Sequence, residues 1–263
     1  MAETKITFDA ADDYERFMGR WSRAIGEKFL AWLAPPGGAR WLDVGCGTGA
    51  FSELIQRRCA PQAIVGIDPA PAQIDYARKK FPALTFQVGD SMDMKFGENE
   101  FDVVASALVF HFIPDRAKAF AEMHRVLKPG GLVGGYTWKR SAAADFAPYT
   151  AVNRAAKQIG AETVSSATVP EGSEDGMRAS LQAAGFRDIA ITEIEVWQSF
   201  KNFEEYWEIQ SLPFSPPGKT IAKLDAAQRA RVQDLLREML PAAADGSITY
   251  SATALAGKAR KPD

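Results

Sequence analysis

Residues 41–51 of the 263-residue chain read WLDVGCGTGAF, an apolar run that ends on Asp43 and gives way to Gly45, Gly47 and Gly49. Glycine lets a ligand approach the main chain more closely than any Cβ permits. Gly45, Gly47 and Ala50 satisfy the dinucleotide pattern G-x-G-x-x-G/A, and Asp68 lies about 20 residues on, where a ribose-binding acid belongs. A P-loop is excluded, since no lysine followed by Ser or Thr closes the glycines. Asp43 helps to choose among the remaining ligands. A pyrophosphate on a helix N-terminus wants N–H groups and positive potential, and a carboxylate two residues before the first glycine repels it. A ligand with an ammonium and a sulfonium group favours that same carboxylate. Asp43 also suits a structural role, accepting from the loop's own N–H groups, and the two roles can coexist.

Further motifs follow in order. LDVGCGTG resembles the signature of class I S-adenosylmethionine-dependent methyltransferases. VGIDPA is similar to that family's second motif, VGDSMDMKF to the third, FDVVASALVFHF to the fourth and EMHRVLKPGGLV to the segment before the fifth strand. One such motif is modest, whereas five in sequence order over residues 41–133 are specific, and they displace the dehydrogenase reading. The resemblance implies a cofactor, S-adenosyl-L-methionine, with S-adenosyl-L-homocysteine as product. It implies a binding set of Asp43, the loop Gly45, Cys46, Gly47, Thr48 and Gly49, and Asp68 with Pro69. Asp90, Ser91 and Met92 would meet the adenine, Ala107 the methionine part, and Tyr14 and Arg23 of an N-terminal helical lid the cofactor's carboxylate.

Each assignment has a plainer counterpart. Asp68 can accept from both ribose hydroxyls, or it can cap the next helix, which Pro69 would suit at its start. The Asp90 carboxylate can take the adenine amino group while the Ser91 or Met92 N–H donates to a ring nitrogen; Asp93 is a competitor. Ile67 and Met92 are expected as apolar walls or as ordinary core. His111 lies just past the fourth strand, and its side chain has an unperturbed pKa near neutrality. It is the candidate general base, or else a loop residue that only packs. His124, inside a helix, is expected to be structural. No metal-ligand cluster is expected.

These residues need a scaffold that gathers them. Short apolar runs at RWLDVG, AIVGIDP, LTFQVGD, FDVVASALVF and GLVGGYTW alternate with helical patterns at AFSELIQRR, AQIDYARKKF and DRAKAFAEMHRVL, the last punctuated by KPGG. Nearly continuous apolar strands alternating with helices predict a parallel α/β sheet covered on both faces. Ligands of such doubly wound sheets sit at the carboxyl ends of the strands. DGMRASLQAAGF reads as a further helix, DIAITEIEVWQSF and SITYSATALAGKAR as two late strands that finish the same sheet in hairpin fashion. The whole is a seven-stranded, mostly parallel sheet with an antiparallel last strand, in one methyltransferase domain over 1–263. Helical additions are expected at about 10–34, 141–160 and 203–240 around a cofactor core at 40–140. Tyr14, Phe17, Met18, Trp21, Ile25 and Phe29 recur on one helical face, with Asp12 or Asp13 as cap. LPFSPPGK is expected to interrupt the last addition, whose Phe203, Tyr206, Trp207 and Phe214 suit a substrate wall or a dimer contact.

Bulk properties narrow the acceptor. With 46% hydrophobic residues the chain can bury a large core, and a net charge of −2 offers no footprint for nucleic acid. SALVF stands where nucleobase amino-methyltransferases carry Asn- or Asp-Pro-Pro-aromatic. Cys46 and Cys59 have no metal spacing and indicate no disulfide framework. The N-terminus lacks a signal-peptide pattern and no window approaches a membrane span. The expectation is a cytoplasmic enzyme that methylates a small, rather apolar molecule, with no nucleic-acid or membrane partner. Two rivals are a cofactor-binding regulator without turnover and an enzyme that methylates proteins or peptides. The sequence does not set the oligomeric state.

Overall fold

A computed structural model describes residues 18–139, 147–164, 169–213 and 215–263. Seven strands form one sheet in the order β3-β2-β1-β4-β5-β7-β6. They are β1 (Arg40–Val44), β2 (Ala63–Asp68), β3 (Thr85–Val88), β4 (Phe101–Ala107), β5 (Leu127–Trp138), β6 (Arg187–Phe200) and β7 (Ile248–Arg260). The first five pair in parallel, and β7 runs antiparallel to both β5 and β6. All seven strands foreseen are present, and the late pair is not a simple hairpin: β7 inserts between β5 and β6.

The helices are α1 (Arg20–Leu33), α2 (Ala50–Cys59), α3 (Pro71–Lys80), α4 (Arg116–Val126), α5 (Ala147–Gln158), α6 (Glu174–Ala183), α7 (Phe203–Gln210), α8 (Pro216–Ala222) and α9 (Ala226–Met239). Side chains alternate along the central strands, which is the physical content of the continuous apolar runs. Trp41 and Val103 join a core with Phe29, Leu33 and Ile55 on one face. Leu42, Val44 and Val104 join Phe120, Met123 and Val133 on the other. None of the helices among the described residues is long and apolar enough to cross a membrane.

Three local expectations are corrected. β4 was read through Phe110 but stops at Ala107, because Leu108 turns to φ 59° and residues 110–112 close a single 3-10 turn. KPGG does not separate α4 from β5. Leu127 already pairs with Phe101, the next pair is Val103 with Leu132, and Lys128–Gly131 bulge out between them. Pro129 has no N–H for the ladder and Gly130 takes φ 68°, so this segment can leave the sheet without losing the strand. In LPFSPPGK the prolines start a helix rather than break one. Pro216 and Pro217 occupy the first turn of α8, and the Ser215 hydroxyl caps it by accepting from the Gly218 N–H at 3.0 Å.

In the N-terminal addition, Trp21, Ile25, Phe29 and Leu33 are buried, so α1 belongs to the core of that face. Asp12, Asp13, Tyr14 and Phe17 of the foreseen lid, like Phe214 in the last addition, lie outside the described residues.

Candidate active site

The carboxyl ends of β1, β2 and β4 converge on the glycine loop. Gly45 and Cys46 both donate to the Ile67 carbonyl, at 2.8 and 2.9 Å, which folds the loop over the end of β2. Gly47 then donates to Asp68 Oδ2 at 3.1 Å, while Asp68 Oδ1 accepts from Ala70 at 2.9 Å. Asp68 therefore does not cap α3, whose first residue is Pro71 and whose N-cap is Ala70. Pro69 is exposed beside it. Gly89, at the end of β3, donates to the Asp68 carbonyl at 3.1 Å and brings the Asp90 loop against β2.

The glycines answer to the loop's own packing. Gly45, Gly47 and Gly49 have φ of 75°, 53° and 84°, a region that favours glycine. A Cβ on Gly45 would lie 2.5 Å from both Val109 methyls, one on Gly47 2.8 Å from Gln73 Oε1, and one on Gly49 2.8 Å from the Phe86 ring. The missing Cβ atoms face protein, so the loop's own packing requires these glycines whatever ligand it holds. Gly49→Ala should thus combine a strained φ with overpacking, each costing about 1–3 kcal/mol. Urea unfolding would show the loss, and a variant as stable as the parent would contradict this packing.

Asp43 is fully buried at the base of the loop. Its Oδ2 accepts from Ser52 Oγ at 2.6 Å, whereas Oδ1, equally buried, has no hydrogen-bond partner among the described residues. Burial, reinforced by the negative Asp68 and opposed by the Ser52 hydroxyl, pushes its carboxyl up to about 7. Burial also raises Asp68, and the Gly47 and Ala70 N–H groups pull it back. Two acids thus flank a loop that supplies no cation. Such a site repels phosphate and suits a positively charged ligand. Cys46 is buried and its thiol is pushed far up by that burial and by both acids, so it is no nucleophile. Thr48 is buried next to it.

On the β3 side, Asp90 is exposed, and its Oδ1 accepts from the Met92 N–H at 2.8 Å. That bond commits the Met92 N–H to its own loop, so of the two foreseen donors Ser91 is the one this turn leaves for a ring nitrogen. The Met92 side chain packs on the same core as Ile67. Asp93 is held by Lys95 at 2.6 Å, away from any such role.

Past β4, Ala107 is half-buried and pairs with Tyr136 of β5. Phe110 is buried against Phe120, His111 is half-buried, and Phe112 projects with 71% of its surface exposed. The His111 and Phe112 rings lie 4.0 Å apart. Because Val109 touches Gly45, this turn borders the glycine loop, as the position of His111 after β4 implied. His124 stacks edge-on against Phe186, and burial lowers its pKa, in keeping with a structural residue. Arg23 is exposed on α1.

The family model that matches residues 42–134 is described as a methyltransferase domain, and it covers the whole loop and the turn at His111. That match covers about a third of the chain, so the likeness to a methyltransferase domain holds for this core. A malonyl-(acyl-carrier protein) O-methyltransferase of Serratia marcescens is 33% identical over 111 residues, 42% of this chain and 43% of that protein. A demethylmenaquinone methyltransferase of Deinococcus radiodurans is 37% identical over 115 residues, 42% and 46% of the two chains. These matches span less than half of the relatives' own lengths. Among solved structures, phosphoethanolamine N-methyltransferase 2 of Haemonchus contortus, in complex with S-adenosyl-L-methionine, superposes with a TM-score of 0.62. At 19% identity, over 99% of this chain and 59% of that one, it is a likeness of fold.

Within this methyltransferase core, two residues escaped sequence reading. Ser52 is the hydroxyl that holds Asp43, and its signal was a small polar residue one turn before Ile55 on the buried face of α2. Ser106 is buried and donates to the Val44 carbonyl at 3.1 Å, tying β4 to the strand that enters the loop. Nothing in SALVF announced that bond, because its partner is 62 residues away.

Proposed function

We propose that this chain transfers the methyl group of S-adenosylmethionine to a small, largely apolar acceptor. The observation that carries the reading is Asp43, a buried carboxylate with one oxygen unpaired and no cation beside it among the described residues. A buried anion of this kind calls for a partner, and the ammonium of the cofactor's methionine part fits that demand. Asp68 retains lone pairs for ribose hydroxyls after accepting from Gly47 and Ala70. Asp90 and the Ser91 N–H are placed to read the adenine edge, Ala107 lines the methionine part, and Tyr14 and Arg23 are proposed for its carboxylate.

Bound S-adenosylmethionine supplies an electrophilic methyl on its sulfonium. The protein's task is to align the acceptor and exclude water, so proximity supplies most of the acceleration. His111 would take the proton from an acceptor hydroxyl or acidic carbon as the methyl group moves. Support for an apolar acceptor comes from Phe112, adjacent to His111, and from Val88 at the end of β3, 71% and 52% exposed respectively. The additions around residues 10–34, 141–160 and 203–240 are proposed as cover for the site.

Incubation with methyl-labelled cofactor and a metabolite extract tests the reading. Label is expected in small molecules with the wild type and not with Asp68→Ala. Label in protein would favour a protein-methylating enzyme, and tight binding without any transfer a regulator. Absence of cofactor binding would overturn the assignment of the loop.

A further inference from the structure

Between α7, α8 and α9 lies an open groove of about 550 Å³. That volume falls in the range of small-molecule sites, about 300–1,000 Å³. Its two walls are helical stripes at four-residue spacing: Phe203, Trp207 and Ser211 face Arg229, Gln233 and Arg237. Gly218 shapes the end of the groove, since a Cβ there would fall 2.0 Å from the Leu212 carbonyl oxygen. No side chain could stand at that point without moving the loop, so the close approach of α8 to the end of α7 is built into the backbone.

The chemistry of the walls is specific. Arg237 lies 4.1 Å over the Phe203 ring, with Asp234 at 3.6 Å and Glu204 at 4.0 Å. Arg229 has no carboxylate partner among the described residues and only a 3.4 Å bond to the Ile221 carbonyl. The Trp207 ring runs nearly parallel to Phe203 at 6.3 Å and offers a flat surface. Ser211 Oγ is buried without a hydrogen-bond partner among the described residues. On the opposite side from Arg229, Glu204 and Glu208 line the α7 wall. A groove with an aromatic face, an unmatched guanidinium on one wall and acids on the other complements a molecule that is aromatic and carries both charges.

We propose that this groove binds a zwitterionic aromatic molecule of amino-acid size, with its ring on Trp207 and its carboxylate on Arg229. The ammonium then faces the acidic α7 wall, and the Gln233 amide and Ser211 hydroxyl supply polar contacts between them. None of the groove's lining residues belongs to the glycine loop, and the proposal does not rest on the methyl-transfer reading.

L-tryptophan is the probe, titrated calorimetrically into the full chain beside indole-3-acetate, which lacks the ammonium, and tryptamine, which lacks the carboxylate. L-tryptophan is expected to saturate one site, with both analogues at least about tenfold weaker, equivalent to about 1.4 kcal/mol. Arg229→Gln, an exposed position on α9, should weaken L-tryptophan about tenfold while S-adenosylhomocysteine binds as in the wild type. Trp207→Leu, checked for an unchanged melting temperature, should do the same. No saturation by L-tryptophan up to about 5 mM, a level that means less than about 3 kcal/mol of binding, would overturn the proposal. So would equal binding of tryptamine or an unaffected Arg229→Gln variant. Loss of S-adenosylhomocysteine binding in the wild type would instead count against the methyltransferase assignment and leave the groove standing.

Discussion

Asp68→Ala is expected to weaken S-adenosylhomocysteine binding by a factor of about 10²–10⁴. Two hydroxyl bonds to a charged acceptor contribute about 1.5–3 kcal/mol each, and every 1.4 kcal/mol is tenfold in affinity. The carboxylate also holds the Gly47 N–H at 3.1 Å and the Ala70 N–H at 2.9 Å, so its removal frees the loop it anchors. Asp68→Asn separates the two contributions. Its carbonyl oxygen can keep one of these backbone bonds, but its amide cannot accept the other, and the charge is gone. Its affinity should fall between those of wild type and alanine variant. Calorimetric titration with S-adenosylhomocysteine measures all three, with far-UV circular dichroism to confirm the fold. An alanine variant within threefold of wild type would remove Asp68 from the binding site.

The second large effect concerns Asp43 and pH. Its carboxyl is raised from 3.8 to about 7 by burial. Between those values the folded chain holds a proton that the unfolded chain has lost, so stability falls as pH rises through this window. Above about 7 both states are ionised and the whole cost is present, on the order of 4 kcal/mol for a shift of roughly three pK units. Between pH 5 and 7 the decline should amount to about 2–3 kcal/mol by urea unfolding, and Asp43→Asn should remove most of it. Carboxylates lowered by partners, such as Asp102 beside Lys128 and Glu122 beside Arg125, act in the opposite sense. Their effect lies below their ordinary range near pH 4. Asp68, raised by burial, adds to the slope and His124, lowered by burial, opposes it, so the comparison with Asp43→Asn isolates the share of Asp43. A cationic ligand reverses the balance by favouring ionised Asp43. S-adenosylhomocysteine, which keeps the ammonium, should therefore stabilise the wild type more at pH 8 than at pH 5, and Asp43→Asn little at either. Parallel pH curves for wild type and variant would show that Asp43 is not held near neutrality.

The strands and helices around the loop were legible because their cause is local. Trp41, Leu42 and Val44 are apolar because β1 is covered on both faces, and that pattern survives in sequence. The turn at residues 110–112 was not legible, because Leu108 leaves the strand to let Phe110 enter the core against Phe120. Propensity favours extending FDVVASALVF; tertiary packing overrides it. Likewise, Pro216 and Pro217 read as breakers until Ser215 is seen to cap the helix they begin.

The site divides in the same way. Sequence alone determined the order of the motifs, the family they indicate, and the two acids that make a phosphate unwelcome, since each is a property of neighbouring residues. Only the tertiary structure decided what those residues do to one another. Asp43 became a buried acid for which Ser52 supplies one bond and no other described residue a second. The three glycines proved to be shaped by Val109, Gln73 and Phe86, between 26 and 64 positions away. Trp207, expected only as part of a wall or a dimer contact, and Arg229, which no motif singled out, came to line one groove. Burial and partnership are set by which distant segments meet, and no local pattern of residues encodes that.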